Sequence, residues 1–233
     1  MPDSEGGTVT DAKSGVVPSA DQGIGSRTDP QVRLIAGLGN PGREFEGTRH
    51  NIGFAVLDAL ASRLGVSFSK ESKWDAFVAK VEIHNTHVSL LKPTTFMNLS
   101  GESVGEYARF YRIPAASSLI VIDDVSLPLG TLRLRRDGGS GGQNGLKSVL
   151  IHFATQQVAR LRVGVGGAQS SERSGGDLSS HVLSKFLPDE RSLAAEATSR
   201  AVDAITCVLN QGMDHAMNLY NATPLSATIL QPK

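Results

Sequence analysis

The chain has 233 residues, 39% of them apolar and 20% charged, and its 23 basic and 23 acidic residues cancel to a formal charge of zero. That length suits one hydrophobic core, the composition excludes a fibre, and no apolar run reaches the roughly 18 to 20 residues that cross a bilayer. Cys207 is the single cysteine, which excludes an internal disulfide and a cysteine-built zinc site; its neighbours Ile205 and Val208 point to a buried thiol.

Zero net charge hides an uneven distribution. Between Thr131 and Val165 stand Arg133, Arg135, Arg136, Lys147, Arg160 and Arg162 against the lone acid Asp137, whereas Met1 to Pro30 carries five acids and two bases. The first pattern fits a local phosphate-binding face as well as it fits a solvated surface. The second, poor in large apolar side chains, predicts a disordered acidic arm over residues 1–30. The arm lacks the basic start and apolar stretch of a secretory signal, so a cytoplasmic location is expected. A folded domain is expected over 31–222, and a tail over 223–233.

Val32 to Leu38 is an apolar run ending in glycine, the pattern of a buried strand. The loop Gly37-Leu38-Gly39-Asn40-Pro41-Gly42 follows. Its spacing matches the dinucleotide-binding fingerprint, but in that motif a helix opens at once onto the pyrophosphate. Here Pro41 has no amide to offer, and the next helix is expected only at Thr48, so a plain strand-to-loop turn is the better reading. Thr48 is the expected cap of a helix whose apolar positions Ile52, Val56, Ala59, Leu60 and Leu64 recur at helical spacing until Gly65.

Ala76 to Ile83 and Val88 to Leu91 read as strands around a turn at Asn85, Leu99 to Tyr111 as a helix ending before Pro114, and Leu119 to Ile122 as a buried strand. Thr131 to Leu134 alternates, a glycine-rich stretch follows, and Leu161 to Val165 is a further strand before a Ser/Gly loop. Ala194, Ala197, Ala201, Ile205 and Val208 mark a long amphipathic helix. The alternation predicts a single-domain α/β sandwich with a mixed, largely parallel sheet flanked by helices.

Three groups of residues carry chemistry. His50 stands directly after the glycine loop, near the end of the first strand, where sites of α/β proteins gather, and a neutral imidazole there can take a proton from water. Taken alone it reads more readily as a capping or surface histidine. Asp123 and Asp124 follow a predicted strand; a carboxylate there can fix the imidazole tautomer, bind magnesium or cap a turn, and the chemistry of the two residues does not choose between them. Asn98 and Asn144 sit among turn-forming residues, where their amides can hold a carbonyl, a hydroxyl or a water, or simply make the turn. No pair of histidines has zinc spacing with a third ligand.

At these positions the chain resembles the bacterial-type peptidyl-tRNA hydrolase family. The matching segments are Gly37 to Gly42, Thr48 to Phe54, Lys92 to Gly101, Asp123 to Pro128, Gly142 to Lys147 and Arg160 to Gly164, in order, within about Arg33 to Tyr220. The resemblance implies an α/β monomer with a helix-and-loop lid, acting on peptidyl-tRNA without metal or cofactor. It implies His50 as the base, Asp123 as its orienting acid, and Asn40 as a contact to the peptide. Phe45, Phe96, Met97, Asn98 and Asn144 would border the terminal nucleotide and peptide, and Arg135 and Arg162 would grip phosphate.

Two positions depart from the pattern: Phe45 stands where many members have tyrosine, losing a phenol hydrogen bond, and Gln143 where many have histidine, removing a possible acid or base. The alternative is a non-catalytic RNA-binding protein like a plant chloroplast group II intron splicing factor that shares the resemblance. An outer apolar patch would favour that reading, and a cleft gathering His50, Asp123 and Asn98 would favour the enzyme.

Overall fold

The computed structural model describes residues 30–167 and 178–221. The predicted arm, Pro30 apart, and the predicted tail lie outside the described residues, as does most of the Ser/Gly loop.

Seven strands form one sheet in the order β2-β3-β4-β1-β5-β7-β6. They are β1 (Leu34–Gly37), β2 (Ser69–Glu71), β3 (Ala76–Ile83), β4 (Thr86–Pro93), β5 (Ser118–Asp124), β6 (Leu132–Arg135) and β7 (Ala159–Gly164). The four central strands β4, β1, β5 and β7 are parallel, and β2, β3 and β6 add antiparallel edges. Every residue of β1 and β5 is buried, as expected of strands covered on both faces, which is why their sequences read as unbroken apolar runs. The expected fold class is therefore the observed one.

Helices α1 (Ile52–Arg63), α5 (Arg191–Gln211) and α6 (Met213–Tyr220) cover one face, where Val56, Leu57, Leu60, Val121, Leu161, Ala201 and Ile205 belong to one core cluster. Helices α2 (Ser100–Phe110) and α3 (Asn144–Phe153) cover the other, around Leu34, Ile120, Ile122, Val104, Tyr107 and Val149. Helix α4 (Leu178–Leu183) is short and buries none of its residues. No helix among the described residues is long and apolar enough to cross a membrane.

Local chemistry accounts for most boundaries. The β3–β4 turn consists of His84 and Asn85, both at positive φ (49° and 59°), the backbone of a tight hairpin turn whose twist matches the strands. Helix α1 ends as predicted at Gly65, with Gly65 N–H bonded to Ser62 O and Val66 N–H to Ala61 O, the double closure of a left-handed C-terminus.

Its start differs from expectation. Thr48 does not cap α1, because its hydroxyl donates to Phe45 O at 2.8 Å; a 3-10 turn, Arg49–Asn51, intervenes and the α-helix opens at Ile52. That first turn lies hard against the sheet. A Cβ on Gly53 would stand 2.5 Å from Leu38 O and 2.6 Å from Val121 O, so only glycine lets α1 approach the ends of β1 and β5 this closely.

Three elements are absent from the sequence reading: β2, α3 and α4. The amphipathic pattern from Ala194 to Val208 falls wholly on α5, as expected, and α6 follows beyond Gly212, whose φ of 86° ends α5.

Candidate active site

The carboxyl ends of the parallel strands converge on one edge of the sheet, the usual place for a site in such folds. There β1 leads to Asn40, β4 to the loop bearing Phe96, Met97 and Asn98, β5 ends in Asp123 and Asp124, and α3 opens at Asn144. Between them lies a cleft of about 570 Å³, and α4 contributes Leu178, Ser179, Val182 and Leu183 to its wall.

His50 and Asp123 meet at its floor. His50 Nδ1 is 2.9 Å from Asp123 Oδ2, and the two side chains are 13% and 3% exposed. The close seating of Gly53 brings the turn holding His50 onto the end of β5, and strand alternation does the rest. Asp123 follows the side of Val121, which packs with α1, whereas Asp124 follows Ile122 onto the opposite face. Asp124 pairs there with Arg162 at 2.6 Å and accepts from the Ser126 amide and hydroxyl at 2.9 and 2.6 Å. The two neighbouring carboxylates thus have separate work.

Asp123 has a second partner. Gln143 donates from Nε2 to Asp123 Oδ1 at 3.0 Å, and its own Oε1 accepts from Leu146 N–H at 2.7 Å, capping α3.

Asn40 is held as firmly. Its backbone exchanges two bonds with the Asn51 side chain, Asn40 N–H to Asn51 Oδ1 at 2.8 Å and Asn51 Nδ2 to Asn40 O at 3.0 Å, while Asn40 Oδ1 accepts from Met97 N–H at 2.8 Å. With its oxygen engaged, the Asn40 carboxamide has its NH₂ to offer as a donor to the cleft that it lines.

Of the residues singled out in the sequence, His50, Asp123, Asn40, Phe96, Met97, Asn98, Asn144 and Arg162 line the cleft. Met97 is buried, and Phe96, at 56% exposure, stands out at the rim. Phe45 and Arg135 do not belong to the lining. Gln143 as a donor, Asn51 as a clamp and the α4 wall escape the sequence reading; the Gln143 position, directly after the paired glycines Gly141 and Gly142 and three residues before Leu146, is the one available signal.

The basic stripe resolves into a pattern. Strands β6 and β7 share a Leu/Arg alternation, and their register sets Arg133 opposite Arg162 and Arg135 opposite Arg160. The leucines Leu132, Leu134 and Leu161 enter the core under α5 and α6, so the arginines occupy the other face. Arg160 is only 3% exposed beneath the glycine-rich loop, with Nη1 3.4 Å from Gly139 O. Burial pulls its guanidinium below the ordinary range, Asp137 opposes that, and Arg162 adds to it. Among the described residues no group of three or more His, Cys, Asp or Glu side chains is placed to hold a metal ion.

Comparison with known proteins agrees with this architecture. The family model described as peptidyl-tRNA hydrolase matches residues 34–228. A peptidyl-tRNA hydrolase of Thermoanaerobacter sp. (strain X514) is 43% identical over 188 residues, 81% of this chain and 98% of that protein. One from Chlorobium chlorochromatii (strain CaD3) is 45% identical over 194 residues, covering 83% of this chain and 100% of the relative. The crystal structure of peptidyl-tRNA hydrolase from Acinetobacter baumannii superposes with a TM-score of 0.77 at 36% identity, over 84% of this chain and 97% of that one. The matched span contains every segment that builds the cleft, and the chain belongs to the peptidyl-tRNA hydrolase family.

Proposed function

We propose that His50 is the general base of this chain's reaction, oriented by Asp123, with Asn40 and Asn98 presenting amides to the scissile carbonyl. The overall activity is that of the family: hydrolysis of peptidyl-tRNA, releasing tRNA. The bond cut is the ester joining the peptide to the 3′ end of the tRNA. The observation that carries the reading is the 2.9 Å contact between His50 Nδ1 and Asp123 Oδ2 at the floor of the cleft.

With Nδ1–H directed to the carboxylate, Nε2 keeps its lone pair for a proton from water. The water oxygen then attacks the ester carbonyl, and the proton passes to Nε2. Asp123 stabilises the imidazolium so formed. Donors on the developing oxyanion favour the tetrahedral intermediate. Its collapse breaks the bond to the ribose 3′ oxygen, which takes the proton back from the imidazolium. Free peptide carboxylate and tRNA leave.

Phe96, Met97, Asn98 and Asn144 border the terminal nucleotide and peptide, with Phe45 beyond the cleft as an apolar neighbour. Arg135 and Arg162 hold phosphate, positioning the substrate without reading sequence. One domain, residues 31–222, carries the reaction as a cytoplasmic monomer without metal or cofactor. The gathering of His50, Asp123 and Asn98 on one cleft favours the enzyme over the RNA-binding alternative.

The test is hydrolysis of an N-acetyl-aminoacyl-tRNA and of its unblocked counterpart. Wild type is expected to cleave the blocked ester preferentially, and His50→Ala to lose about 10²- to 10⁴-fold in kcat. Full turnover by His50→Ala ends the assignment, and loss of activity with chelator ends the metal-free mechanism.

A further inference from the structure

We infer that Gln143 is a positioning residue of this reaction, acting through Asp123 to set how strongly His50 takes up a proton. The inference rests on His50 being the base, as argued above.

Two bonds fix the Gln143 carboxamide with no freedom to flip. Oε1 accepts from Leu146 N–H at 2.7 Å, a contact only an oxygen can make, so Nε2 must face Asp123 Oδ1, 3.0 Å away. The neighbouring Gly145 keeps that orientation open, because a Cβ there would come within 2.4 Å of Met97 Sδ and 3.1 Å of Gln143 Oε1.

Asp123 is 3% exposed and divides its oxygens cleanly, Oδ2 to the imidazole and Oδ1 to the carboxamide. A donor on Oδ1 draws off charge that would otherwise stabilise the imidazolium. It also supplies Oδ1 with a partner that does not itself ionise. The helix N-terminus thereby holds the carboxylate from one side while the turn before α1 presents the histidine from the other.

The surrounding charged groups are engaged elsewhere. Asp124, next on β5, pairs with Arg162 from β7. Arg49, beside His50 on the same turn, pairs with Glu190, and His181 of α4 has its Nε2 at 3.0 Å from Gly166 O. Gln143 is thus a neutral polar contact on the dyad.

The experiment compares Gln143→Glu, Gln143→Leu and Gln143→His with wild type and His50→Ala, measuring kcat and KM for N-acetyl-aminoacyl-tRNA from pH 5 to 9 and thermal unfolding of each. Gln143→Glu retains an oxygen that caps α3 but sets a second carboxyl against Asp123 in place of the amide donor, so it alters the dyad with the helix cap kept, whereas Leu removes both contacts. Glu and Leu are expected to lower kcat about tenfold at neutral pH with KM within about twofold, and to move the ascending limb of the profile alkaline by about one pH unit. His restores a donor and is expected to recover kcat to within about threefold, adding a second ionisation to the profile.

Folded Glu and Leu variants that keep the wild-type limb and kcat overturn the inference. So does a His variant as slow as Leu. An active His50→Ala would instead overturn the assignment of the base, whatever the Gln143 variants do.

Discussion

Arg49 Nη2 and Glu190 Oε2 form an ion pair at 2.5 Å, joining the turn that bears His50 to the segment just beyond α4. Arg49 Nη1 also donates to Ser184 Oγ at 2.6 Å and Lys185 O at 2.7 Å, and its guanidinium lies 5.1 Å from the Phe186 ring centre. The side chain is 4% exposed, its partner 27%. A single residue therefore ties the base to the wall of the cleft.

Arg49→Met is expected to lose about 2 to 4 kcal/mol, since Glu190 and two polar groups lose their shared donor, and to lower kcat through the adjacent His50. Glu190→Gln changes the partly exposed member of the pair and leaves an amide oxygen that can still accept from Arg49, so it is expected to cost about 1 kcal/mol. Urea unfolding and turnover on the same preparations check both; equal costs would show the pair with Glu190 to be the whole of the anchor.

Asn40 allows a cleaner dissection. Asn40→Asp keeps the oxygen that accepts from Met97 N–H and loses the amide donor offered to the cleft. It is expected to keep most of its stability and lose about 10²-fold in kcat, the scale of one donor to an oxyanion. Asn40→Ala is expected to lose activity and, with Met97 N–H orphaned, about 1 to 3 kcal/mol of stability. An Asp variant with wild-type turnover would remove Asn40 from the chemistry.

The two arginines proposed to hold phosphate should behave differently. Arg135 is exposed, so Arg135→Ala is expected to raise KM, leave stability unchanged and flatten the slope of log affinity against log salt by about 1. Arg162→Ala is expected to do the same to the slope and also to destabilise, because Asp124, a buried residue, loses its cation. Binding of uncleaved tRNA across a salt series, with unfolding midpoints, reads both effects.

Alkaline stability should follow three acids. Burial pushes the Tyr107 phenol, the Tyr220 phenol and the Cys207 thiol above their ordinary values. Each favours its neutral form in the fold, so its contribution is complete below the unfolded-state value and is lost as pH rises past it, towards and through the higher folded value. Urea midpoints should therefore fall above about pH 9 to 10. Tyr107→Phe keeps the packing on Trp74, costs about 1 kcal/mol at pH 8 through the lost bond to Ser89 Oγ, and flattens the decline.

What could be read in the sequence follows from how local its cause is. The buried strands, the Asn85 turn and the Gly65 stop each depend on neighbours a few residues apart, and each was found. Helix α3 was not, because its start is masked by the glycines from Gly138 to Gly145 and its cap is a glutamine, a residue outside the usual capping set. Helix α4 buries none of its residues, so it has no apolar stripe to detect. Strand β2 is three residues of Ser, Lys and Glu, held by pairing with β3.

The division of labour between Asp123 and Asp124 depends on which helix covers which face, and that is a property of topology. Alternation along β5 says only that the two point apart. The seating of α1 through Gly53 decides which of them meets His50.

The arginines of β6 and β7 repel one another across the strand pair. Placing Arg133 across from Arg162 and Arg135 across from Arg160 sets like charges face to face, a destabilising arrangement in a sheet, and the acids beside it, Asp124 and Asp137, are fewer than the cations they must balance. A polyanion laid along this margin would complete the outermost strand pair electrostatically, so its occupancy is expected to stiffen β6 and slow its amide exchange.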